Sequence, residues 1–72
     1  MKTAKERYEE IKLIKNSIPE GCEVRLWING CTKQELLDLG AELGIVCNVR
    51  SDRDSRLFLS IEEDNFEVTL WQ

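Results

Sequence analysis

The stretch Cys22-Glu23-Val24-Arg25-Leu26-Trp27-Ile28-Asn29, followed by Gly30-Cys31-Thr32-Lys33-Gln34-Glu35, decides the fold. In its first half Cys22, Val24, Leu26 and Ile28 alternate with Glu23, Arg25, Trp27 and Asn29, which is the period of a strand with one buried face. Asn29-Gly30 then turns the chain. Thr32 and Glu35 match a capping box, in which the hydroxyl accepts from the amide three residues on and that residue's carboxylate reaches back to the cap amide. The helix so begun carries Leu36, Leu37, Leu39 and Leu43 and stops at Gly44, a residue suited to a C-terminal cap. Gly40 lies inside it, about 1 kcal/mol worse than Ala in a helix, so the helix backbone is expected to lie close against something flat, such as a sheet.

Toward the N-terminus, Thr3 and Glu6 form a second capping box. Ala4, Tyr8, Ile11, Ile14 and Ile18 follow at spacings of four and three, one apolar stripe of an amphipathic helix that needs a partner. The helix should end near Asn16 or Ser17, because Pro19 pushes Ile18 out of the helical region and Gly21 can take the positive φ of a Pro-Glu-Gly turn.

Toward the C-terminus, residues 45–50 read as a second strand with Ile45, Cys47 and Val49 on one face and Val46, Asn48 and Arg50 on the other. A polar turn over residues 51–55 leads to a third strand, Leu57, Leu59 and Ile61 inward and Arg56, Phe58 and Ser60 outward. After a turn at Glu62-Glu63-Asp64-Asn65, the last strand sets Phe66, Val68 and Leu70 inward and Glu67, Thr69 and Trp71 outward.

The order is αβαβββ. One apolar face on each helix and a shared aliphatic face on the strands require only two layers. The expected fold is therefore α+β, a mixed four-stranded sheet with both helices packed mainly on one face. The helical crossover makes the first strand parallel to its neighbour, whether that is the second strand or the fourth, and the last three strands form an antiparallel meander. At 72 residues the chain is one domain, residues 1–72, with one core and roughly 60% of its unfolded surface buried.

Composition narrows function by exclusion. Hydrophobic residues are 42% and charged residues 33%, with four Gly and one Pro, which excludes a disordered tail or a low-complexity linker. Fourteen acids against ten bases leave a net charge of −4, so neither nucleic acid nor an anionic membrane is an expected partner. There is no His, which removes the usual general base, the common nucleophile pairs and the commonest metal ligand. Three Cys without a CxxC spacing fit reduced thiols in a cytoplasm better than a disulfide framework, and three thiols alone do not close a zinc site. Cys22 and Cys47 read as small core residues. Cys31 precedes a helix N-terminus, where amides and the helix dipole would favour a thiolate, although no base stands beside it. No phosphate loop or calcium-loop spacing occurs, and the acids of Asp52-Arg53-Asp54 and Glu62-Glu63-Asp64 read equally well as charged turns. No enzyme activity, metal or cofactor is expected.

What remains is the outer sheet face. Trp27, Phe58 and Trp71 fall there together with Val46, bordered by Arg25, Arg50, Asn48, Glu67 and Thr69. Bulky aromatics on an uncovered face are the anchors of protein interfaces. The competing reading has the first helix cross to that face and make Tyr8, Trp27 and Trp71 ordinary core. An aromatic face beside Arg also suits base stacking, but the glycine-aromatic motifs of RNA readers are absent and the charge has the wrong sign. Residues 51–72 hold six acids and two bases, so Glu62, Glu63, Asp64 and Glu67 form an acidic pole that could dock on a basic groove. The function expected is thus a small cytoplasmic, non-enzymatic module that binds and occupies a protein partner as an inhibitor or regulator. Virus-encoded or mobile-element inhibitors of host enzymes belong to this class. The alternative is a homodimer whose aromatic faces meet around a small ligand or nucleotide.

Overall fold

The computed structural model describes residues 2–50 and 55–72. The first helix, α1 (Ala4–Lys12), tightens into a 3-10 segment over Leu13–Ser17. Strand β1 (Val24–Ile28), helix α2 (Lys33–Leu43) and strands β2 (Asn48–Val49), β3 (Leu57–Glu63) and β4 (Phe66–Trp71) follow. This is the αβαβββ order of an α+β fold. The sheet runs β1-β4-β3-β2. β1 is parallel to β4, while β3 is antiparallel to both β4 and β2, so the first strand takes its place beside the fourth and the helix-bearing crossover passes over the two strands between.

Both capping boxes form. Thr3 accepts from the Glu6 amide and Thr32 from the Glu35 amide, and each glutamate reaches back to its cap. The Glu35 carboxylate also accepts from the Ala4 amide at 3.2 Å, so one side chain serves the N-termini of both helices. Arg7 donates to the Asn29 carbonyl at 2.9 Å and ties α1 to the loop after β1. At its far end α2 closes on Gly44 with φ 72°, where the Ile45 amide donates to the Gly40 carbonyl and the Gly44 amide to that of Ala41, the bond pattern of a Schellman motif. A Cβ on Gly40 would stand 2.7 Å from the Ile45 carbonyl oxygen, 3.3 Å from the Cys47 sulfur and 3.6 Å from Leu59. The backbone is indeed closely approached, but first by the loop that follows the helix and only then by the sheet.

The core is the helix side of the sheet. Ala4 and Tyr8 of α1 and Leu36 and Leu39 of α2 pack with Leu57, Leu59, Ile61, Phe66, Val68 and Leu70, none more than 7% exposed. Several expectations give way here. Ile14 leaves the stripe and is 45% exposed, since it falls in the 3-10 segment beyond the end of α1, while Ile18 still reaches the core. Leu37 and Leu43 stay outside the buried core, about 40% exposed each. The second strand shrinks from six residues to Asn48–Val49, because Ile45 is engaged in closing α2. Cys22 is exposed ahead of β1 rather than buried, whereas Cys47 packs against the core and its thiol donates to the Leu36 carbonyl at 3.3 Å. Glu62 and Glu63 belong to β3, and the turn is Asp64-Asn65 alone, with Asp64 at φ 38°. Most of the polar turn at 51–55, with Asp52, Arg53 and Asp54, lies outside the described residues.

Candidate functional site: the open sheet face

Strand alternation and register together fix what the uncovered face presents. Across β1, β4 and β3, the pairing sets Arg25 beside Glu67 and Glu62, and the next row holds Trp27, Thr69 and Ser60. A further row holds Trp71, Phe58 and, on β2, Asn48. Beyond it the Arg50 amide donates to the Arg56 carbonyl at 2.9 Å. The face thus runs from a charged end through aromatics to an arginine end.

Trp27 is 76% exposed. Phe58 and Trp71 are partly covered and pack on each other: their ring centroids lie 4.6 Å apart at a tilt of 31°, within the range of favourable aromatic pairs. The Arg56 guanidinium carbon is 5.2 Å from the Trp71 ring centroid and that of Arg50 is 5.9 Å, both inside cation–π reach. Trp71 is therefore held between Phe58 and two cations, while Trp27 stands free, diagonal to it across β1 and β4. Tyr8 is buried among aliphatic residues on the other side of the sheet. The helices cover neither indole, so the alternative in which α1 crosses to this face does not hold.

Val46 is 84% exposed but precedes β2, so no strand pairing places it on the face. Arg56 joins the face as a further contact residue, as its alternation with Phe58 and Ser60 signals. Thr69 is only 6% exposed on a face without helices, on the inner strand between Trp27 and Ser60 in its row.

The acidic pole divides between the two faces. Glu62 and Glu67 lie directly opposite each other on the open side, a like-charge pair that disfavours the hairpin, and Arg25 Nε approaches Glu67 at 3.5 Å to offset it. Glu63 points to the helix side and pairs with Lys15. That hydrogen bond holds the Glu63 carboxyl below its usual range and raises Lys15. Between them the pole and β1 line a shallow cleft of about 140 Å³, bordered by Glu23, Arg25, Glu62, Asp64 and Glu67. Among the described residues no group of His, Cys, Asp or Glu is arranged to hold a metal ion.

Cys31 does not show the lowered thiol pKa expected from its place before the helix. It is buried, and burial pushes its thiol up; the neighbouring Arg7 acts in the opposite sense and Glu35 adds to the rise. Proximity to the helix start is outweighed by the loss of solvent. Among the described residues no helix is long and apolar enough to cross a membrane. Compared with family models, curated proteins and solved structures, the chain matches none.

Proposed function

We propose that this chain is a small cytoplasmic, non-enzymatic interaction module that occupies a protein partner, as an inhibitor or regulator does, and that the open sheet face is its docking surface. The observation that supports this most directly is Trp27, a large apolar side chain 76% exposed on an ordered strand. A tryptophan held by a rigid sheet loses little freedom on binding and brings a large apolar area to the contact. Beside it the Phe58–Trp71 pair extends the apolar centre, and Arg25 and Glu67 supply a polar rim. The partner that fits is a protein surface with an apolar recess for the indole and polar groups around it.

Trp27→Ala and Trp71→Ala test this. Trp27→Ala should leave the unfolding free energy within about 0.5 kcal/mol of wild type, the range of surface substitutions. Trp71→Ala should lose about 0.5–1.5 kcal/mol from the ring pair, beyond its buried area, and still fold. Used as baits in native lysate, both variants should fail to retain a protein that the wild type retains. If the folded variants capture the same proteins as wild type, the docking face lies elsewhere.

A further inference from the structure

We infer that the outer edge of β1 pairs with the same edge of a second copy, antiparallel about a two-fold axis at Leu26, to continue the sheet from one chain into the next. The inference goes beyond the docking role of the open face, because the contact begins with the backbone groups of the edge, although its register also draws on the Arg25 and Trp27 side chains. The Val24 amide donates to the Asn65 carbonyl on the β4 side at 2.8 Å. By strand alternation Leu26 and Ile28 also turn their backbone groups to β4, so those of Arg25 and Trp27 face away from the sheet. Among the described residues nothing bonds to them, and β1 is an edge strand. The side chains beneath that edge are also incompletely covered. Val24, Leu26 and Ile28 are only half-buried, whereas the inward apolar residues of β3 and β4 are all buried.

The sequence of the edge selects both the occupant and the register. Placing Arg25 against Arg25 of a second copy would oppose like charges. Placing Trp27 against Trp27 would bring Arg25 against Asn29, whose carbonyl is already engaged by Arg7. With the axis at Leu26, Arg25 of each chain faces Trp27 of the other, a cation against an aromatic face, and each such pair exchanges its N–H and C=O groups. On the helix side Leu26 meets Leu26 and Val24 meets Ile28, apolar on apolar. The strand is thus complementary to itself in this register, as an isologous contact requires. Arg25 is free to serve, since most of its side chain is in solvent even with Glu67 nearby.

Sedimentation of the full chain from micromolar to millimolar concentration should show the 8.4 kDa mass doubling. Trp27→Lys sets Lys against Arg25 twice by symmetry and should raise the dissociation constant at least about tenfold. Trp27→Glu sets a carboxylate against Arg25 and should dimerise at least as well as wild type. The double variant Arg25→Glu with Trp27→Lys reverses that charge pair and should recover the dimer that Trp27→Lys loses. Circular dichroism checks that each variant folds, above all the double variant, which loses Arg25 beside Glu67 and Glu62. A wild type that stays monomeric, or a dimer that Trp27→Lys and Trp27→Glu weaken alike, overturns the pairing. Trp27→Glu also separates this proposal from the docking role, since it should lose partner capture while keeping the dimer.

Discussion

The same strands build two unlike faces. On the helix side, residues of β3 and β4 alternate into an aliphatic layer whose aromatics are Phe66 and, from α1, Tyr8. On the other side, the intervening positions hold Phe58, Ser60, Glu67, Thr69 and Trp71, most of them only partly covered, next to the exposed Trp27 of β1. Among the described residues there are two α-helices, and both are committed to one side of the sheet. Core formation therefore accounts for the covered face and leaves both indoles on the open one without a structural task of comparable size. A small domain has little apolar surface with which to build a core, and it is on the aromatics placed outside it that the proposed docking role rests.

The contrast is broken most severely by truncating the covered face. Leu70 is fully buried at the centre of the sheet, beside Leu59 of β3. Leu70→Ala should cost about 2–5 kcal/mol, against a total of about 4–11 kcal/mol for a domain of this length. Urea unfolding should then show a sharply lowered midpoint or a chain already unfolded. A loss no larger than that of Trp71→Ala would mean that the two faces bear comparable shares of stability.

Gly40→Ala probes how tightly the covered layer is closed. The substitution gains about 1 kcal/mol in helix propensity, yet the new methyl would stand 2.7 Å from the Ile45 carbonyl oxygen, a backbone atom held by the closure of α2. Overpacking of this kind costs about 1–3 kcal/mol, so the net effect should be a loss of up to about 2 kcal/mol and a lower melting temperature. A higher melting temperature would show that the loop after α2 yields easily.

Features carried by local chemistry were legible in the sequence. Both capping boxes form on the residues that spell them, and the inward set from Leu57 to Leu70 follows from the period of two, because a one-residue slip would turn every side chain over. Features set by competition between elements were not. β1 is parallel to its neighbour whether it lies beside β2 or β4, so alternation alone did not select β4. Ile45 reads as a strand residue until the end of α2 claims its amide, which leaves β2 two residues long. Cys22 alternates correctly with Val24 but lies before the first paired position, and alternation without a partner buries nothing. At the site, parity put Trp27, Phe58 and Trp71 on one face. It did not reveal that Arg56 would cover Trp71, nor that the acidic residues of the hairpin would separate onto opposite sides.

That separation supplies the smallest and most selective test, since Glu62 and Glu63 are neighbours in sequence on opposite faces. Glu63 pairs with Lys15, which holds its carboxyl below the ordinary 4.5. A carboxyl lowered in the folded state contributes stability that is fully present above its unfolded value and is lost as pH falls through the lowered folded value. Glu63→Gln removes that contribution, so at neutral pH the variant should melt below wild type. The gap should narrow as pH falls below about 4.5 and close once Glu63 is protonated in both states. Melting curves of the two proteins between neutral pH and the acid limit read this directly. The pair is partly exposed, and its effect should shrink with added salt. A gap that stays constant through the acid range would assign the loss to packing of the glutamate stem rather than to its charge.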